Sequence, residues 1–171
     1  LSGTLEDGQI VVNAENTDKI QLILDGVNIR SSNSAAIFVQ QADKVFITTA
    51  KGSVNTLTSD AFEESEYNID AVIFSKDDLT LNGEGSLTIV APSGHGIVSK
   101  DDLVVTGGNY AVTSAGHGFA GKDSVRVAGG TFSVTAGKDG IHAENNDDTT
   151  LGFGYFANGS FAITAEGDGI A

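Results

Sequence analysis

The chain of 171 residues has no cysteine, no methionine and no tryptophan, a single proline, and only nine lysines and arginines. Without cysteine there is no disulfide framework, no thiolate zinc site and no thiol nucleophile. Basic residues are outnumbered by 23 acids, leaving a formal net charge of −14. Nucleic acid is a poor partner for such a surface, because phosphate contacts need Lys and Arg, and an anionic membrane surface is disfavoured for the same reason. No apolar run approaches the 18 or so residues of a membrane-spanning helix, so no membrane insertion is expected. The opening residues, LSGTLEDGQIVVN, lack the basic and apolar regions of a signal peptide.

What is present in quantity is glycine, 22 residues of it, and apolar residues at 40%, enough for a continuous core. The length fits one domain over residues 1–171, and the ending GDGIA reads as the opening of another repeat, so the domain is expected to continue further or to be truncated there. Aligned on short apolar runs, the chain repeats itself. AVIFSKDDLTLNGEGSLTIVAPSG (71–94) is followed by HGIVSKDDLVVTGGNYAVTSAG (95–116) and HGFAGKDSVRVAGGTFSVTAGK (117–138), with a looser copy at 35–59. Each copy holds three alternating segments of four or five residues, the pattern of half-buried strands, separated by Gly, Asp, Asn and Ser turns.

Three strands and three turns in about 22–24 residues make one coil of a right-handed parallel β-helix, an all-β solenoid. A hairpin array would run alternate copies antiparallel and would not bring like residues to one place. A propeller needs roughly 40 residues per blade. Two insertions break the rhythm. SDAFEESEYNID (59–70) carries five acids in twelve residues, and ENNDDTTLGFGYFANG (144–159) joins an acidic tip to an aromatic cluster. Both are expected to be functional loops.

In a solenoid, equivalent positions stack about 4.8 Å apart, so the alignment becomes a set of columns. One reads Ala35, Ala71, His95, His117, Asp139, Asp168 and another Gln40, Lys76, Lys100, Lys122, Glu144. Two acidic columns follow, Gln41–Asp77–Asp101–Asp123–Asn145 and Ala42–Asp78–Asp102–Ser124–Asn146. Stacked carboxylates repel unless solvent, lysines or a cation intervene. Two readings stand side by side: Ca2+, a hard cation that takes six to eight oxygens, bound by Asp77, Asp78, Asp101, Asp102 and Asp123, or turn-forming aspartates neutralised by Lys76, Lys100 and Lys122. Asp139 and Asp168, with Glu144 near, form a second acidic corner lacking a lysine column. The His95–His117 pair lacks a third zinc ligand and is expected to serve the turn or a bond between rungs. Lys100 and Lys122 are the weak catalytic candidates, since a lyase acting on uronates needs a base beside Ca2+. Tyr67, Phe153 and Tyr155, in or beside the insertions, are the candidate sugar platforms.

The segments GKDGIHAEN, SKDDLTLNG and KDSVRVAGGTFSVTA resemble a bacterial family of secreted, pectate-lyase-like carbohydrate-binding β-helix domains from cellulolytic anaerobes, which carry D-G-I-H-A followed by L-x-I-x-G-G-x-I-x-I coils. The resemblance covers roughly residues 70–171. It implies Ca2+ held by acidic turn residues, with Asp139 and Glu144 carried over by motif position and Asp168 as their equivalent on the next coil. It also implies recognition of cellulose or acidic sugars outside the cell, secreted or at the cell surface. The expected function is a calcium-stabilised module that binds plant cell-wall polysaccharide, with enzyme activity left open. Its alternatives are a calcium-dependent polysaccharide lyase and a structural adhesin or spacer.

Overall fold

The computed structural model describes residues 1–171 and contains strands and turns but no helix. Nineteen strands, numbered in chain order, sort into three sheets that are parallel throughout. The first sheet has seven: β1 (Gly3–Leu5), β4 (Val27–Ser31), β7 (Val54–Ser59), β10 (Ser86–Ala91), β13 (Asn109–Ser114), β16 (Thr131–Ala136) and β19 (Ser160–Ala165). The second has six: β2 (Ile10–Asn13), β5 (Ile37–Gln41), β8 (Ala71–Ser75), β11 (His95–Ser99), β14 (Phe119–Gly121) and β17 (Ile141–Ala143). The third also has six: β3 (Lys19–Leu24), β6 (Lys44–Thr49), β9 (Asp78–Gly83), β12 (Asp102–Val105), β15 (Ser124–Val127) and β18 (Phe153–Phe156). Each coil gives one strand to each sheet, which is the parallel β-helix that the repeat implies. The coils are less uniform than the repeat suggests. Partners along the first sheet lie 24, 28, 32, 23, 22 and 29 residues apart.

Parallel stacking puts like side chains above one another inside the tube. Ile29, Leu57, Ile89, Val112, Val134 and Ile163 form one column. In the next, Tyr110, Phe132 and Phe161 stack at 5.4 and 4.7 Å between ring centroids. The Tyr110 hydroxyl donates to the Gly107 carbonyl at 2.7 Å, so its one polar atom is satisfied at the corner. Higher in the same column Asn55, fully buried, replaces an apolar residue. Its Oδ1 accepts the Gly26 and Val27 amides at 3.0 and 3.1 Å, and its Nδ2 donates to Ser53 Oγ and the Ser86 carbonyl at 2.9 and 3.1 Å. All four of its hydrogen-bonding positions are used, which is the condition for burying an amide without penalty.

The recurring His-Gly and Asp-Gly pairs have a steric cause. A Cβ on Gly118 would lie 2.6 Å from the Gly140 carbonyl oxygen and 2.5 Å from a Val134 methyl, and Gly96 and Gly140 meet the carbonyl of the next rung in the same way. The Gly-Gly turns differ: the second glycine, Gly108 (φ +107°) or Gly130 (φ +124°), occupies backbone space closed to other residues.

The two insertions resolve differently. Residues 60–70 leave the coil and lie back over the outside of the second sheet. There Phe38 and Phe74, which point outward, pack with Ile69 and are capped by Phe62 and Tyr67, with Val98 at the edge of the same cluster. Asp60 pairs with Arg30, and its carbonyl accepts the Ser93 hydroxyl at 3.0 Å. The second insertion is shorter than the sequence suggests. Phe153–Phe156 is β18, in register with Ser124–Val127, so only residues 144–152 bulge. Ser124 is consequently followed in its column by Phe153 and not by Asn146. The register also shifts at the other end, where the rung partner of Asp78 is Lys44 and not Ala42.

Candidate functional site

Where the strap over residues 60–70 ends, the outer face of the second sheet becomes a groove of about 260 Å3, slightly below the range of pockets that enclose whole drug-sized ligands. Val98 and Ala120 form its floor, Lys100 and Lys122 one rim, His95, His117 and His142 the other, with Asp70 and Lys138 also lining it and Glu144 at one end. The register explains the arrangement. His95, His117 and Asp139 occupy one corner position on successive coils, Lys100, Lys122 and Glu144 another. Three of the nine basic side chains of a strongly acidic protein thus meet on one surface.

The histidine rim is a continuous stack. His95 and His117 lie 4.9 Å apart at 9°, and His117 and His142 4.2 Å apart at 18°. The His117 amide donates to His95 Nδ1 at 2.8 Å, and the Asp139 amide to His117 Nδ1 at 3.2 Å. Both rings therefore accept at Nδ1 and carry their proton on Nε2. Burial, which opposes the charged form, lowers the pKa of His95 and pushes that of His117 down to about 4, aided by the neighbouring His142 and His95. His142 is wired differently. Its Nδ1 lies 2.8 Å from Asp139 Oδ2 and its Nε2 3.4 Å from Glu144 Oε2, so the ring sits between two carboxylates. Asp139 Oδ1 accepts the Asp168 amide at 2.8 Å. That bond first, and the His142 bond after it, hold the Asp139 carboxyl below its usual range.

His117, Asp139 and His142 bring three metal-ligating atoms within 4.8 Å of one another. Imidazole lone pairs lie in the ring plane, however, and these rings are nearly parallel and 4.2 Å apart. Their lone pairs run side by side, so an ion at the 2.0–2.1 Å of a zinc–nitrogen bond would require one ring to turn out of the stack.

The acidic corner lies next to the lysine rim. Lys44 pairs with Asp78 at 2.9 Å, and Arg126 with Asp102 at 3.4 Å, while the Ser124 hydroxyl donates to Asp102 at 2.6 Å. Neutralisation thus comes from strands of the third sheet and not from Lys76 or Lys100, whose ammoniums sit over the rings of Tyr67 and Phe74 at 5.1 and 5.2 Å. Lys122 reaches Asp147 at 2.8 Å. The inner column makes no ion pair, although the charge of Lys122 reaches Asp101 and Asp123: Asp77 accepts the Ala42 amide, and Asp123 accepts Asn145 Nδ2 at 2.7 Å. Between them Asp101 is pushed up to about 6 by burial, by its hydrogen bond with Asp123, and by the charges of Asp78, Asp123 and Asp102.

The aromatic candidates separate. Tyr67 packs on Phe38 at 5.2 Å and accepts Gln40 Nε2 at 2.9 Å, so it secures the strap. Phe153 (41% exposed) and Tyr155 (61%) stand on the outside of the third sheet, beside Arg126, away from the groove. Sequence reasoning left out His142, Lys138 and Asp70. The DGIHA segment contained the signal for His142, two residues past a glycine that must face the next rung.

A family model described as carbohydrate-binding domain-containing protein matches residues 1–171. A carbohydrate-binding domain-containing protein of Acetivibrio thermocellus is 47% identical over 173 residues, which is 99% of this chain; the chain spans 60% of that relative's length. The solved polysaccharide lyase-like protein from C. thermocellum, a gadolinium derivative, has a TM-score of 0.91 at 41% identity, covering 96% of this chain and 68% of that one. With the whole chain matched, this β-helix belongs to the family of carbohydrate-binding domain-containing proteins.

Proposed function

We propose that the groove binds an acidic polysaccharide, a polyuronate, lying along the solenoid axis between the lysine and histidine rims. The observation that carries this reading is the gathering of Lys100, Lys122 and Lys138 around one groove on a chain of net charge −14. Lysine ammoniums supply point charges for carboxylates, the Nε2–H groups of His95 and His117 can donate to ring or hydroxyl oxygens, and Val98 and Ala120 offer an apolar floor to a sugar face. Asp70 Oδ1, buried at the groove without any hydrogen-bond partner, suits a sugar hydroxyl as donor. A partner of this kind belongs outside the cell, secreted or surface-held with the protein.

Ca2+ fits the inner acidic column best, at Asp101 and Asp123 with Asp77 beside them, because these carboxylates are close and lack a basic partner. Asp139 is already engaged by two N–H groups, from Asp168 and His142, and is assigned no metal in this reading. Calcium there would stiffen the corner that carries the lysine rim.

A second surface favours a neutral partner. The outward positions of β7, β10, β13, β16 and β19 hold only Val, Ala, Ser, Thr and Asn, including a row of Thr113, Thr135 and Thr164. A flat, uncharged face on so acidic a protein matches an uncharged, ordered polysaccharide such as cellulose. Co-sedimentation with cellulose and affinity electrophoresis in polygalacturonate test both surfaces. Binding to polygalacturonate should weaken with salt and vanish in a K100A/K122A/K138A variant that still sediments with cellulose. Retention of polyuronate binding by that variant would refute the groove assignment.

A further inference from the structure

The groove has two unlike ends. At one, Glu144 borders it with a side chain that is 57% exposed and free to swing aside. At the other, residues 60–70 cross the same track. The outward column that forms the floor, Val98 and Ala120, continues beneath the strap as Phe74 and Phe38, where both rings are buried. The wall is packed on either side. The Phe62 ring lies so close to Gly94, the residue before His95, that a Cβ there would meet it at 2.6 Å. The Tyr67 ring lies on Phe38 with the Lys76 ammonium 5.1 Å from its centre. The Glu63 amide donates to the Asn33 carbonyl at 3.0 Å, and Asp60 pairs with Arg30. A polymer running on past His95 would have to displace this packing. It would also have to pass Glu63, Glu64 and Glu66, all exposed, whose charge repels a polyanion.

Asp70 stands at the foot of this wall, held there by its carbonyl, which accepts the His95 amide at 2.7 Å. Its carboxylate takes no hydrogen bond from the protein. Oδ1 has no partner, and Oδ2 lies 3.7 Å from His95 Nε2, beyond hydrogen-bond reach, on a side chain that is 43% exposed. Across the floor on the next coil is Lys100, whose ammonium lies over Phe74 without a carboxylate partner.

We infer that this groove recognises the end of a polyuronate chain and not its interior, with Asp70 as the residue that selects the end; the inference rests on the polyuronate-binding reading of the same groove. The terminal sugar lies against the strap, its carboxylate towards Lys100 and its terminal hydroxyl donating to the Asp70 carboxylate. Inside a chain the same oxygen is a glycosidic ether. It has no hydrogen to donate, so Asp70 would face another acceptor, and the next sugar would run into the wall. Steric, hydrogen-bonding and electrostatic selection thus act at one place. Either chain end carries a terminal hydroxyl, and oligomers modified at one end or the other tell which of them Asp70 receives.

The test measures binding of the full chain, per mole of ligand chains, to oligogalacturonates of increasing length up to polygalacturonate. Oligomers of equal length modified at one end are compared with them: one with an unsaturated non-reducing end, which lacks its terminal hydroxyl, and one whose reducing end is opened by reduction to the alditol. Kd per mole of chains should level off at a short oligomer and stay constant up to the polymer. One of the two end modifications should weaken binding about tenfold, the loss expected for a hydrogen bond to a charged group at a partly exposed site. D70A should weaken the intact oligomer by the same factor and bind the modified one no worse, a non-additivity that a merely structural role of Asp70 would not produce. F62A/Y67A, which loosens the wall, should let Kd per chain fall with polymer length; should that variant fail to fold, D70A still decides. A wild-type Kd that falls steadily with chain length, or end modifications without effect, overturns end recognition and leaves polyuronate binding standing. A protein that binds neither oligomer nor polymer overturns both.

Discussion

Lysine by lysine, the polyuronate reading makes ranked predictions. Lys100, Lys122 and Lys138 are all exposed, so each pairs with a carboxylate through water-rich surroundings. Two unit charges at 4 Å interact by about 1 kcal/mol in bulk water and about 4 at a partly shielded surface, and measured exposed pairs retain roughly 0.2–1 kcal/mol. About 1 kcal/mol, or fivefold in Kd, is the expected loss for K100A, whose ammonium lies over Phe74 without a carboxylate partner. Lys122 must leave Asp147, 2.8 Å away, before it can serve a ligand. Exchanging one carboxylate for another gains less, so K122A should cost only about twofold. The same logic runs in reverse for D147N, which frees Lys122 and removes a like charge, and should tighten binding about two- to threefold. The assay is a titration of a labelled polygalacturonate oligomer at low salt, repeated near 1 M, where screening over about 3 Å should erase most differences. Equal affinities for wild type, K100A and D147N at low salt, or weaker binding by D147N, would refute the electrostatic account.

Three further outcomes follow from the fold. N55A should cost about 3–5 kcal/mol in chemical denaturation, because it orphans buried donors and an acceptor at once; N55D should be worse at neutral pH and recover on acidification, since it places a carboxylate oxygen against the Ser86 carbonyl. His117 is depressed from 6.5 to about 4, so the unfolded chain binds its proton first as pH falls. Stability should decline between about pH 6.5 and pH 4, by about 2 kcal/mol once solvent screening is allowed for, and H117Q should flatten that part of the stability profile. If Ca2+ occupies the Asp101–Asp123 corner, thermal unfolding at 100 times Kd should gain about 2.7 kcal/mol over protein in EDTA, and D101N should abolish the gain.

The coil could be read from the sequence because parallel stacking turns register into repetition. Ile73, Ile97, Phe119 and Ile141 recur because they occupy one interior position, and the His, Lys and Asp columns follow from the same alignment. Where the chain stops repeating, that logic has nothing to align. The pairing of Asp78 with Lys44 is hidden in the sequence because the corner before β6 is two residues longer than its successor before β9. Phe153 and Tyr155 read as loop residues because Gly154 between them takes the place of the inward apolar residue that would mark the alternation of β18. Asn55 stands in an apolar column with nothing nearby in sequence to announce its four partners. The groove itself needed a through-space fact: the strap over residues 60–70 covers Phe38 and Phe74 and stops short of Val98 and Ala120, so the outer sheet face is closed at one end and open at the other.

The rims have a further consequence for how such a molecule can change. Each coil from His95 onward adds one side chain to either rim and one floor residue between them, and coils interact mainly with their immediate neighbours. The groove is therefore written in units of 22 residues. A duplication of residues 95–116, beginning and ending at equivalent corners, would insert without altering any existing contact except at its two junctions. It would lengthen the track by one strand spacing, about 4.8 Å, and supply another Lys and His already facing the ligand. Reach along a polymer, and with it the number of simultaneous contacts that set residence time, is a quantity this architecture can tune by copying alone.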